Sequence, residues 1–356
     1  MWLPHRAIAF APRGLDLCLG VTSAHLPTEF RRRPAIHMLT AMQAKHIAFV
    51  ALTLAGAACA TSSRPGLPSR PATATLALPG ATFYPESVTV AADGTLYVSS
   101  LGGAGVVRIA ASSDTAESFV AGTNKNIAGV YVDDDAQLLY VCENQLTANP
   151  PVAPRLISYR LSDGAQAKAY AFPQPGVCND MVLDGAHNLY VTDSAGKVYV
   201  LRPGAAELAV FSADPQLASS MPGGFGADGI VWDGGQTLYV NLFSDSKLLR
   251  IAIKADGTAG AVAPITVTPA LQNPDGMRTL DARTLVVAEG AGRITQLAIT
   301  GDAATGTVVA SGLDSPTSLA VTQGAYFVTE GQLGHFLGLV AGPPTLPFAT
   351  RRVVTP

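Results

Sequence analysis

Glu86, Asn179, Asp228 and Asp275 stand at the same point of a recurring sequence pattern, and each carries side-chain oxygen. Three carboxylates and one amide, with no His or Cys among them, make the donor set of a hard divalent cation. Ca²⁺ suits it first, Mg²⁺ or Mn²⁺ next, and Zn²⁺ less well. Carboxylates gathered away from water lose hydration and repel one another, so they must share protons or a cation. Taken singly, the same residues are ordinary turn formers, since Asn-Asp and Asp-Gly pairs close turns through Asx hydrogen bonds. Their recurrence at one repeat position favours a shared site.

The pattern that aligns them occurs six times: PESVTVAADGTLYVSS from Pro85, IAGVYVDDDAQLLYVCE from Ile127, CNDMVLDGAHNLYVTDS from Cys178, ADGIVWDGGQTLYVN from Ala227, PDGMRTLDARTLVVAEG from Pro274 and PTSLAVTQGAYFVTEG from Pro316. Its second residue falls at 86, 128, 179, 228, 275 and 317, in steps of 42, 51, 49, 47 and 42 residues. Each copy reads as two strands of period-two alternation around a Gly/Asp turn, and the spacer to the next copy has room for two more. Lys197 to Leu201, Leu208 to Phe211 and Ser244 to Ile253 are such segments. The repeat predicts an all-β fold, a six-bladed β-propeller with four-stranded blades, whose short sheets bury both faces against their neighbours. The ring can close through Thr73 to Leu78 or through Arg351 to Thr355.

In such a ring the loop leading into each innermost strand points at the axis, so Glu86, Ala128, Asn179, Asp228, Asp275 and Thr317 line the channel. The second strand returns to the same face and brings Ser99, Glu143, Asp193, Asn241, Glu289 and Glu330 to the rim. Of these, Glu143, Asp193, Glu289 and Glu330 are expected near a substrate. His335, in GQLGHFLG, is a further candidate acid or base.

A net charge of −3 without a cluster of Arg or Lys in the body of the chain excludes a phosphate-tracking groove for nucleic acid and a polybasic membrane patch. The apolar run from Ile47 to Ala58, preceded by Lys45 and His46, is too short to span a membrane and reads as a secretory signal beginning at Met38 or Met42. The expected layout is an N-terminal extension and signal peptide over 1–60, a Pro/Ser-rich linker over 61–72 and the propeller over 73–356, periplasmic or secreted, with no transmembrane span in the mature protein. Cys59, after Gly56-Ala57-Ala58, is either a lipid anchor point or lies beside an ordinary cleavage site near Ala58 or Ala60. Cys142 and Cys178 are left as a disulfide in an oxidising compartment, or as two buried small hydrophobes.

With Glu86 in the first leading loop, Asn179-Asp180 in the third, an acid-Gly pair in the fourth and Pro-Asp-Gly-Met in the fifth, the pattern resembles the gluconolactonase/regucalcin (senescence marker protein) family. Paraoxonases and strictosidine synthase-like proteins are more distant relatives of that family. The resemblance spans roughly Ala81 to Gly338. It implies a metal-dependent hydrolase of a sugar lactone or other small lactone or ester. Glu86 and Asp228 would be metal ligands, Asn179 a ligand or substrate contact, and Asp275 both ligand and the carboxylate nearest the reacting water. Where the family usually has Asn-Gly in the fourth loop, this chain has Asp228-Gly229. The extra charge should tighten a cation and weaken its Lewis acidity. The paraoxonase His pair has no counterpart. Two other readings stay open: a non-catalytic, metal-stabilised binding propeller, and a strictosidine synthase-like enzyme using Glu289 or Glu330 as its acid.

Overall fold

Alternating apolar residues form strands where the repeat predicts them. The innermost strands are Pro85–Val90, Asn126–Asp133, Cys178–Leu183, Ala227–Trp232, Pro274–Asp281 and Pro316–Thr322, and each pairs antiparallel with the second strand of its own copy. This computed structural model describes residue 70 and residues 74–355. The expected signal peptide, Cys59 and most of the expected linker lie outside the described residues. Among the described residues no helix is long and apolar enough to cross a membrane.

Four copies build separate four-stranded sheets, and two share an eight-stranded one. The shared sheet consists of two antiparallel halves, from the fourth and fifth copies. Their outermost strands, Ala259–Thr268 and Ala303–Ser311, pair in parallel over Thr266 to Thr268. Over those three positions the two strands cover each other's open edges, which would otherwise expose unpaired backbone groups. Each innermost strand also packs against the next, and the last, Pro316–Thr322, packs against the first. Six apolar clusters fill the gaps between successive sheets; one sets Val88, Leu96 and Ile109 against Ala320, Phe327 and Phe348, closing the circle. Each fully buried Val, Leu or Phe in them contributes roughly 1.5–3 kcal/mol.

Closure uses both of the segments that the sequence offered for it. Thr75–Ala77 pairs with Ala349–Val354, which in turn pairs with Ala325–Glu330. Arg70, assigned from sequence to the linker, donates to the carbonyls of Gly94, Ile109 and Ser113 at 2.7, 2.9 and 3.1 Å and lies over the Phe327 ring. It therefore straps the first sheet to the last.

Cys142 and Cys178 form a disulfide between the second strand of the second copy and the innermost strand of the third. It closes a sequence separation of 36 residues, for which loop-closure entropy gives about 4 kcal/mol of stabilisation. The Cys142→Ala/Cys178→Ala protein should unfold with about 2–4 kcal/mol less free energy in urea than the oxidised wild type. An unchanged midpoint would refute a stabilising crosslink.

Candidate functional site

Each innermost strand slips register near its start, between Pro85 and Val88, Ile127 and Val130, Cys178 and Met181, Ala227 and Ile230, Pro274 and Met277, and Pro316 and Ser318. A bulge adds a residue and re-aims side chains next to it. The residues at these bulges are those the repeat places on the axis. Glycine is required inside two of them: a Cβ on Gly129 would lie 2.2 Å from the Asn179 carbonyl oxygen, and one on Gly229 would lie 2.3 Å from that of Asp275. Neighbouring innermost strands thus approach backbone to backbone.

The bulges bring Glu86, Asn179, Asp228 and Asp275 to the floor of one pocket, joined there by Ala128. Thr317 is buried but outside it, bonded to Thr329 and the Pro85 carbonyl. Asn179 Nδ2 donates to Asp228 Oδ2 and to Ser194 Oγ, both at 2.9 Å. Asp228 and Asp275 lie close enough for each carboxyl to act on the other's ionisation. Burial, then the charge of Asp180, pushes the Asp228 carboxyl up to about 7. Burial also drives Asp275 well above the carboxylate range, helped by Asp228 and Glu86, and does the same to Glu86, helped by Asp228 and Asp180.

This donor set fits a hard divalent cation. Glu86 Oε2 and Asp228 Oδ1 are buried without a hydrogen-bond partner, and oxygen atoms so placed are costly unless something positive meets them. Among the described residues no group of three or more His, Cys, Asp or Glu side chains is placed to hold a metal ion.

A tier of side chains that the sequence reading missed holds the floor in place. From the second strand of the preceding copy, Thr192 Oγ1 donates to the Asp228 carbonyl at 2.5 Å and Thr329 Oγ1 to that of Glu86 at 3.0 Å. Asn241 Nδ2 donates to the Asp275 carbonyl at 2.5 Å, and Asn144 brackets Cys178, the neighbour of Asn179, through its N–H and C=O at 3.0 and 2.9 Å. Asn241, read as rim, is thus a clamp; Ser99 accepts from Ser87 N at 2.8 Å within its own copy.

Beneath the floor lies an ion pair, Arg278 to Asp180 at 3.2 Å. Arg278 also donates to the carbonyls of Met277 and Val88 and to Ser318 Oγ, so its guanidinium ties together the first, third, fifth and sixth copies. It opposes the upward pull on Glu86 and Asp180.

The expected substrate contacts fall elsewhere. None of Glu143, Asp193, Glu289 and Glu330 lines the pocket. Glu143 pairs with Arg155, Glu289 with Arg293 and Glu330 with Arg351, at 2.5, 2.8 and 2.9 Å. Each acid is met by an arginine of the adjoining third strand, so it braces its sheet. Asp193 accepts from Val177 N and Ala195 N at 2.9 and 3.0 Å, shaping the loop before Cys178. His335 sits on the short helix Leu333–Phe336, with Nδ1 buried and without a hydrogen-bond partner, and it too is absent from the lining.

Sheets succeeding one another around an axis, with a pocket on that axis, define a propeller-type protein. Residues 72–109, which include Glu86, match the family described as "Strictosidine synthase-like, N-terminal". No curated protein sequence matches the chain. Among solved structures it is similar to a gluconolactonase from Xanthomonas campestris, 17% identical, with a TM-score of 0.56 over 82% of this chain and 99% of that one. A PQQ-bound aldose sugar dehydrogenase from Streptomyces coelicolor superposes with a TM-score of 0.54, 14% identity and coverage of 81% and 100%. A virginiamycin B lyase from Staphylococcus aureus gives 0.51, 12%, 79% and 98%. At these identities the likeness is one of fold, on which many chemistries are built.

Proposed function

We propose that this chain is an exported six-bladed propeller hydrolase that opens a small lactone or ester with a divalent cation, Ca²⁺ foremost, held by Glu86, Asn179, Asp228 and Asp275. The closed circle of innermost strands and the six apolar clusters support the blade count. The Cys142–Cys178 disulfide supports export, since such bonds persist in oxidising compartments.

The observation that carries the chemistry is the pocket floor: three buried carboxyls and an amide at equivalent bulges of different copies, with two oxygens lacking partners. A bound cation would polarise the ester carbonyl and stabilise the oxyanion formed on attack. Asp275 orients the attacking water and takes its proton, for which it must be ionised. Burial, Asp228 and Glu86 oppose that ionisation in the protein alone, so turnover should require the cation. Asn179 holds Asp228 in position from one side, and the carbonyl clamps hold the backbone beneath.

Purified protein should hydrolyse members of a lactone panel when Ca²⁺, Mg²⁺, Mn²⁺ or Zn²⁺ is added and lose the activity to chelator. Asp275→Asn should lower kcat/KM by about 100-fold or more, the range for loss of a general base. Inactivity across the panel with every cation would sink the hydrolase reading.

The extra carboxylate at Asp228 favours a second reading, a non-catalytic binding propeller in which the cation is a structural plug. A melting temperature raised by cation without turnover of any lactone would establish it. For strictosidine synthase-like chemistry, suggested by the match over residues 72–109, the acids considered, Glu289 and Glu330, are engaged by arginines away from the pocket.

A further inference from the structure

Above its charged floor the pocket has walls of another character. Leu101, Leu146, Phe225, Phe243, Phe336 and Leu337 surround the opening. They come from loops on one face of four different copies, so the wall does not belong to one mobile segment. Apart from the four floor residues, Asn144 is the sole polar side chain in the lining, and both ends of its amide are bonded to the backbone of Cys178. The lining contains no Arg, Lys or His. A polyhydroxylated ring would therefore exchange water for hydrocarbon at most of its hydroxyls, each a buried polar group left unpaired. An anionic substrate would find no cationic side chain and several carboxyls.

The wall is also preformed. Phe336 packs on Tyr84 at 5.4 Å between ring centroids, and Tyr84 packs on Phe348 at 4.8 Å. Gln332, just before the short helix, exchanges two hydrogen bonds with Thr345, at 2.8 and 2.7 Å, pinning the loop that carries Phe336 and Leu337. The cavity itself is small, about 80 Å³, so it admits a compact reacting group and leaves the rest of a substrate to lie along the wall at the open mouth.

We infer that the pocket selects a neutral lactone or ester whose body is an aliphatic chain or aromatic ring, and that it rejects sugar lactones. The inference rests on the hydrolase reading for the reacting group and on the wall for the rest of the substrate. The ester carbonyl sits at the floor, and the alkyl or aryl portion lies along Phe243, Phe336 and Leu337.

The test measures equilibrium binding with analogues that cannot be hydrolysed, by calorimetry at pH 8 in excess Ca²⁺. The probes are the unsubstituted five-membered lactam, the same lactam bearing a hexyl chain, and gluconolactam. Each methylene that reaches the wall should tighten binding about fourfold, so the hexyl lactam should bind at least about 50-fold better than the unsubstituted ring. Gluconolactam should bind no better than that ring. Leu337→Asn, at a half-exposed position where folding is not at stake, and Phe336→Asn should each weaken the hexyl lactam about tenfold, on the scale of a lost apolar contact, and leave the unsubstituted lactam unchanged. Gluconolactam binding as tightly as the hexyl lactam, or no binding by any probe, overturns the inference. Turnover of sugar lactones in preference to alkyl lactones would also overturn it while keeping the hydrolase. Tight hexyl-lactam binding without turnover of any lactone would keep the wall's preference and remove the hydrolase.

Discussion

Protein stripped of divalent cations should become less stable as the pH rises from about 4 through 7, and saturating Ca²⁺ should cancel the loss. The sign follows from the floor of the pocket. Asp228 titrates from 3.8 in the unfolded chain to about 7 in the fold, chiefly through burial. Asp275 and Glu86 are shifted in the same direction and for the same leading cause. Over this range the folded protein binds more protons than the unfolded chain, so stability falls with pH. The contribution is complete below the unfolded value near 4 and is lost as the pH climbs through the folded value. Asp163 and Asp256 shift oppositely, held low by hydrogen bonds from Arg160 and Thr258, but they act only below about pH 4, outside the window. A cation replaces the protons, so its binding should release them and tighten with pH. Asp228→Asn removes one buried acid, and the chelated variant should be more stable than chelated wild type at pH 8, with a flatter pH profile and weaker Ca²⁺ binding. Urea unfolding between pH 5 and 8, with EDTA or with CaCl₂, reads all of this. Stability of the chelated wild type that rises over that range, or a slope untouched by Asp228→Asn, would refute it.

The repeat made the convergence of Glu86, Asn179, Asp228 and Asp275 legible, because alternation and spacing together state which residue begins each innermost strand. The bulges were not legible. Period-two alternation counts residues on two faces and carries no sign of one inserted between them, yet the insertion re-aims these side chains. Glu143, Glu289 and Glu330 lie outside the pocket lining because facing the same end of a sheet differs from facing its axis, and their arginine partners lie on the third strand, whose register the sequence does not announce. Closure offered two alternatives from sequence, and the fold uses both segments in one sheet. The parallel pairing that joins two sheets depends on how far two outer strands run on, which no repeat encodes. Asp180 and Arg278 did leave a signal. Asp180 occupies a column that in the other copies holds Ser87, Gly129, Gly229, Gly276 and Ser318, and Arg278 occupies one that holds Thr89, Tyr131, Val182, Val231 and Ala320. One charged residue in each of two uncharged columns marks a pair that must meet in the channel.

That pair sets the second large effect. Arg278→Met should cost about 3–5 kcal/mol, the usual penalty for leaving a buried carboxylate without its partner. The melting temperature should fall by on the order of 10 °C. Asp180 has few alternatives: it is buried, burial already raises its carboxyl above the usual range, and Arg278 is the largest opposing influence. The guanidinium is itself largely buried, with a side-chain exposure of 15%, so water cannot take its place cheaply. Its bonds to Val88 and Ser318 add a second loss, since Arg278 crosses from the fifth copy to the first and the sixth, where the ring closes. Adding Asp180→Asn to Arg278→Met should recover most of the stability. The uncharged amide keeps an oxygen for the N–H of Met181, which Asp180 now accepts at 2.9 Å, and no ionised group is left buried. A double-mutant cycle measured by urea unfolding isolates the coupling. If the single substitution costs less than about 1 kcal/mol, or if the double variant is no more stable than Arg278→Met, Arg278 is packing in the channel and not the counter-charge of Asp180.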